Sequence, residues 1–189
     1  MSDINTEIAS AFEVIQNGGI ILYPTDTVWG IGCDATNVAA VAKIYALKKR
    51  AETQSMICLM NGEKMMYNVF KDIPEVAWQI IDLSEKPTTL ILDNPRNVAS
   101  NIIAADKSLG IRIVKEPFCF KLMERMKKPL VSTSANISGE PTPIAFKDIS
   151  PEIVKSVDYV VNLHRERVNG KPSCIIKISN DSQVKVIRK

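Results

Sequence analysis

Histidine is nearly absent: His164 is the only one among 189 residues. It lies in a polar stretch with Arg165, Glu166 and Arg167, which reads as surface. A Ser-His-Asp catalytic site and a histidine-based metal centre are therefore not expected. Cysteine is sparse too. Cys33, Cys58, Cys119 and Cys174 stand far apart, with no CxxC pair. This predicts small buried thiols in a reducing compartment rather than a disulfide framework or a metal knot. No apolar run approaches the ~20 residues that cross a bilayer. The N-terminus, MSDINTEIAS, has no basic region leading into an apolar one, so no export signal is expected and the cytoplasm is the expected location. Neither GxGxxG nor GxxxxGK[ST] occurs. A net charge of +3 is too small to demand a nucleic-acid partner, although local basic clusters can still matter.

What is present suits a folded globular unit: 46% hydrophobic and 24% charged residues. With no repeat, low-complexity tract or Gly/Ser linker, one domain over residues 1–189 is expected. Ile8, Ala11, Phe12 and Ile15 recur at helical spacing, with Asn5 as the expected N-cap and Gly18-Gly19 as the stop. Ile20 to Tyr23 reads as a buried strand. A second helix fits Val38, Val41, Ala42 and Tyr45 and runs into Lys48-Lys49-Arg50, cations suited to a helix C-terminus. Strands are predicted over 55–60, 88–92, 109–114, 130–133, 157–161, 173–178 and 184–187. Helices are predicted from Pro74 to Ile81, around Phe118, Leu122 and Met126, and from Pro151. Alternating strands and helices predict an α/β layered fold. The closing strands, with little helix between them, predict a mixed sheet. Chemistry in such sheets usually lies in loops beyond strand ends.

Three segments could carry it. The first, Tyr23-Pro24-Thr25-Asp26-Thr27-Val28-Trp29-Gly30, can present hydroxyls and a carboxylate to a small polar ligand. A plain turn is the alternative, and Trp29 reads as core. In the second, Lys48-Lys49-Arg50, an extended backbone would put Lys48 and Arg50 on one side, fit for phosphate or carboxylate. A solvated helix end is the alternative. The third, Ser132 to Pro143 (STSANISGEPTP), follows a buried strand. Its small side chains could expose backbone N–H groups as an anion-binding concavity.

Taken together and in order, these segments resemble the signature of the YrdC family of threonylcarbamoyl-AMP synthases. Gly18-Gly19 leading into Tyr23-Pro24-Thr25-Asp26-Thr27 is similar to the family's opening, Lys48-Lys49-Arg50 to its KxR motif, and Ser134-Ala135-Asn136 to its SxN motif. The resemblance runs from about residue 8 to the C-terminus. It implies a twisted open mixed sheet with helices on both faces and a large, positively charged cavity. It implies that L-threonine, bicarbonate and Mg2+-bound ATP give threonylcarbamoyl-AMP and pyrophosphate. Partner proteins would then carry the threonylcarbamoyl group to a tRNA adenosine, and family members have also been linked to double-stranded RNA. By the same resemblance, Thr27, Arg112, Ser132 and Ser173 would contact threonine, with Arg112 on its carboxylate. Lys48, Arg50, Gln54, Ser108, Ser134, Asn136, Thr142 and Arg188 would contact ATP, with Lys48 and Arg50 as electrostatic stabilisers. No metal-ligating residue is implied.

Some positions depart from the family pattern: Asp26 for Glu, Trp29 for Tyr, Gln54 for Asn, Leu59 for a threonine-contacting His of longer members, Ser84 to Thr89 for a Pro-Gly-Pro-x-Thr turn, and Val114 for Pro. Two other readings stay open: a YciO-like paralogue of different activity, and an RNA-binding protein without catalysis.

Overall fold

Residues 3–49, 56–168, 170 and 172–189 are described by the computed structural model. In chain order the elements are α1 (Ile4–Gln16), β1 (Ile21–Tyr23), β2 (Gly30–Gly32), α2 (Val38–Leu47), β3 (Ile57–Met60), α3 (Glu63–Val69), α4 (Glu75–Leu83), β4 (Thr88–Asp93), β5 (Ser108–Ile113), α5 (Pro117–Met126), β6 (Leu130–Ser134), α6 (Pro151–Ser156), β7 (Tyr159–Val160), β8 (Cys174–Ile178) and β9 (Val184–Arg188). Among the described residues the strands form one open sheet of nine in the order β7-β1-β2-β6-β3-β5-β4-β8-β9. The sheet is mixed, as expected: β1–β7, β3–β5 and β4–β8 are parallel, and the remaining neighbours are antiparallel.

The apolar spacing of α1 buries Ile8, Ala11 and Ile15. That face meets α5, whose Phe118, Leu122 and Met123 are buried in the same core. The helix starts earlier than expected. Asp3, not Asn5, is its N-cap, accepting from the Thr6 amide at 3.3 Å. At the other end Gly18 takes φ +74, a left-handed conformation that ends the helix.

Two elements differ from the sequence reading. The first is β2, Gly30-Ile31-Gly32, in place of a plain loop. Its glycines let the Tyr23 ring lie close, with the Tyr23 hydroxyl donating to the Val131 carbonyl at 3.0 Å. A Cβ on Gly32 would overlap both that ring and the Val131 oxygen. The second is α3, a helix of 7 residues too short to show a full periodic pattern.

The Lys48-Lys49 segment is also not extended. Lys48 is the C-cap of α2 in helical conformation, and Lys49 turns left-handed at φ 51. The two lysines therefore end a helix. Arg50 and Gln54 lie outside the described residues.

Candidate active site

The turn between β1 and β2 is held by one hydroxyl. Thr25 Oγ1 donates to the Val28 carbonyl at 2.7 Å and accepts from the Thr27 amide at 3.0 Å. It also lies 3.0 Å from Thr27 Oγ1. This Asx-like turn fixes Thr27 beneath the end of β5, where Arg112 Nη2 donates to Thr27 Oγ1 at 3.2 Å and to Asp26 Oδ1 at 2.9 Å.

Arg112 is only 4% exposed, and its Nε has no hydrogen-bond partner among the described residues. A buried guanidinium edge of this kind is costly unless something occupies it. Asp26 compensates part of the charge from one side. Its carboxylate is 24% exposed and faces a second cleft, with Trp78, Asp82, Lys86 and Glu116.

The space beside Arg112 is an open cleft of about 710 Å³, mouth included. Thr25, Thr27, Ser132 and Ser134 line one side, and Thr89, Ser173 and Arg188 the other. Thr142 and Ile175 are among the other lining residues. The charged side chains among its described lining residues are Arg112 and Arg188. Hydroxyls, two cations and an apolar patch from Ile175 suit a small anionic polar ligand. Thr27, Arg112, Ser132 and Ser173, all expected to contact threonine, are thus brought together. Of the residues expected to contact ATP, Ser134, Thr142 and Arg188 join them.

The others are placed differently. Lys48 is 1% exposed and does not line the cleft. Its ammonium donates to the Ser134 carbonyl at 2.5 Å and the Asn136 carbonyl at 2.6 Å, behind the Ser134 loop. Asn136 is turned into the same loop: its amide donates to the Ile137 and Glu140 carbonyls, while its Oδ1 accepts from the Ser134 hydroxyl at 2.5 Å. Ser108 lies at the far end of β5 from Arg112, giving its hydroxyl to Asp106 at 2.6 Å. Three of the loop amides that could have lined the expected anion-binding concavity are committed elsewhere. Ala135, Asn136 and Ser138 N–H groups donate to the Trp29, Ser134 and Lys48 carbonyls. What the loop offers the cleft is side-chain oxygen, notably Ser134, whose own proton is given to Asn136.

Arg188 reaches the cleft from β9 and is anchored there. Its Nε and Nη2 donate to the Ser173 carbonyl at 3.0 and 2.8 Å. Ser173 Oγ in turn sits 2.8 Å from Thr89 Oγ1. Thr89 was not anticipated. A Thr-Thr pair inside a strand carries no signal of its own, and only the sheet register with β8 places it beside Ser173. The three buried thiols are poor nucleophiles. Burial pushes Cys58 up to about 12 and raises Cys33 and Cys119 as well. His164 is exposed, as expected.

The family model for Sua5, YciO and YrdC proteins, described as "Telomere recombination", matches residues 13–189. This chain belongs to the Sua5/YciO/YrdC family. A Methanocaldococcus jannaschii relative, provisionally named a threonylcarbamoyl-AMP synthase, is 36% identical over 173 residues, 91% of this chain and 80% of its own. The threonylcarbamoyl-AMP synthase of Pseudoalteromonas translucida is 30% identical over 165 residues, 86% of this chain and 88% of its own. Among solved structures, P. abyssi Sua5 complexed with L-threonine has a TM-score of 0.80 at 23% identity, covering 94% of this chain. This chain spans only 52% of that Sua5 chain. E. coli YciO has a TM-score of 0.84 at 21% identity, covering all of this chain and 91% of its own. These likenesses establish the twisted open α/β fold of the family.

Proposed function

We propose that this chain is an L-threonylcarbamoyladenylate synthase, an ATP-dependent nucleotidyltransferase acting in tRNA N6-threonylcarbamoyladenosine modification. The carrying observation is the buried Arg112 guanidinium, whose Nε has no partner among the described residues, set in a hydroxyl-lined cleft. A substrate carboxylate is the group that would satisfy it. The names of the relatives support the same reading.

In this reading Arg112 holds the threonine carboxylate, with Thr27, Ser132 and Ser173 around the amino acid. ATP lies toward Ser134, Thr142 and Arg188, with Arg50 and Gln54 assigned to it from the motif. The Ser134 oxygen, its proton committed to Asn136, would accept from a ribose hydroxyl or the adenine amino group. Lys48 and Asn136 act one step back, holding that loop. Among the described residues no group of three His, Cys, Asp or Glu side chains gathers as a metal site. In this reading Mg2+ enters with the substrate, carried on the triphosphate. The carbamate oxygen attacks the α-phosphorus and pyrophosphate leaves, a step needing positioning and fixed cations rather than a protein nucleophile. The cleft's walls would limit water's access to the labile carbamate. One domain over residues 1–189, a cytoplasmic location, hand-over to tRNA-modification partner proteins and RNA binding belong to the same proposal. No helix among the described residues is long and apolar enough to cross a membrane.

The test is incubation of purified protein with labelled threonine, bicarbonate and Mg-ATP. Pyrophosphate and a labelled adenylate should appear only when all three substrates are present. A YciO-like paralogue would release none. A non-catalytic RNA binder would release none either, yet would retain RNA in a strongly salt-dependent manner.

A further inference from the structure

We propose that Thr27 offers the cleft an acceptor and no donor, that it takes an N–H of the substrate's amino nitrogen, and that Thr25 is the positioning residue that sets this polarity. The inference deepens the synthase reading and rests on it. It follows from counting protons in a buried network. A hydroxyl has one proton to give and two lone pairs. The Thr25 proton goes to the Val28 carbonyl, which can only accept. Thr25 Oγ1 also receives the Thr27 amide proton. In the 3.0 Å contact between the two hydroxyls, Thr27 must then be the donor. Thr25 is saturated, and the Thr27 proton is committed. Arg112 Nη2 takes one Thr27 lone pair at 3.2 Å. One lone pair remains on Thr27, which lines the cleft and is 3% exposed.

A ligand group meeting Thr27 must therefore donate. On an amino acid whose carboxylate rests on Arg112, the amino nitrogen is one bond nearer the carboxylate than the side-chain hydroxyl. Thr27 lies within hydrogen-bond reach of that guanidinium, so the amino nitrogen is the donor that fits. The polarity also suits the chemistry. The neutral amine forms its N–C bond to the bicarbonate carbon with its lone pair, water is expelled, and one N–H stays on the carbamate nitrogen. An acceptor at Thr27 can hold that N–H before and after the step. A donor there would bind the lone pair and block the attack.

The test compares calorimetric binding of L-threonine and of (R)-3-hydroxybutyrate, which keeps the carboxylate and hydroxyl and lacks the amine. The parent should favour threonine by roughly tenfold, about one hydrogen bond. Thr25→Val frees the Thr27 hydroxyl to turn and donate. It should bring the two ligands toward parity while 3-hydroxybutyrate still binds, and Thr25→Ser should restore the preference. A Thr25→Val protein that keeps the parent's preference would overturn the proposal. So would one that instead loses discrimination against 2-aminobutyrate, which lacks only the hydroxyl, since Thr27 would then be reading the side chain. If Thr25→Val does not fold, the parent's own preference decides, and parity between threonine and 3-hydroxybutyrate overturns the proposal. A parent that binds 3-hydroxybutyrate and threonine equally refutes only this subsite, whereas a parent that binds neither ligand refutes the synthase reading beneath it.

Discussion

At the scale of single residues, Arg112 concentrates the binding argument. Asp26 and Thr27 both draw on Nη2. Each edge of a guanidinium that can grip a carboxylate with two hydrogen bonds includes one of the two terminal nitrogens, and the Nε edge needs Nη2. A carboxylate taking that edge competes for Nη2 with Asp26 and Thr27, and Asp26, partly exposed, has water to turn to. Charge-assisted hydrogen bonds of this kind contribute about 1.5–3 kcal/mol each. Arg112→Ala should therefore raise the threonine KM by roughly ten- to a hundredfold, with a smaller effect on the KM for ATP. Pyrophosphate release titrated separately against each substrate measures this, and an unchanged threonine dependence would remove Arg112 from the site. Little of this was legible locally. Gly110-Ile111-Arg112 looks like any strand with one charge, and only the resemblance singled out the arginine.

At the scale of elements, the Ser134 loop depends on the end of α2. Lys48 joins two carbonyls of the loop through one buried ammonium. Lys48→Met would remove that donor from both carbonyls; the Ser134 carbonyl keeps the Asn136 amide, so the cost is about 1–3 kcal/mol, that of one buried group left unsatisfied. The expected result is a lower denaturation midpoint, faster amide exchange across residues 134–140 and weaker ATP binding. Unaltered exchange there would separate Lys48 from the loop. The strand β2 makes a second case. Gly32→Ala would force a methyl into the Val131 carbonyl and the Tyr23 ring. Backbone cannot yield there as a flexible side chain could, so the variant should lose several kcal/mol, on the scale of severe overpacking. The sequence pattern missed β2 because Gly-Ile-Gly has almost no strand propensity; the glycines are demanded by Tyr23 packing, a contact between elements. The polar loop was located correctly from its composition, but its proton and amide partners could not be. Which N–H groups face a ligand depends on where the Trp29 and Lys48 carbonyls lie.

At the scale of the whole molecule, the alternation of strands and helices carried the fold class, and the order of nine strands carried the site. Two walls of the cleft come from distant parts of the chain. One is built from β1, β2 and β6, the other from β4 and the β8–β9 hairpin that brings Ser173 and Arg188. Sequence spacing cannot reveal that β4 pairs with β8, which is why Thr89 went unnoticed. The hairpin's attachment can be tested with acid. Asp106, in the turn before β5, accepts from Lys177 on β8 at 2.6 Å and from Ser108 at 2.6 Å. The Lys177 hydrogen bond, then that of Ser108, lowers the Asp106 carboxyl from 3.8 to about 2. A carboxylate depressed in the fold contributes stability that is present above its unfolded value and lost as pH falls through the folded one. The parent should therefore melt above Asp106→Asn at neutral pH, and this margin should close as pH drops from about 4 to about 2. Asp106 is largely exposed, so salt should shrink the margin too. The hairpin bearing Arg188 would loosen first, so amide exchange in residues 174–188 should rise over the same pH range, ahead of exchange in β3 and β6. A margin that stays constant down to pH 2, with uniform exchange across the sheet, would mean that this ion pair does not fasten the second wall of the cleft.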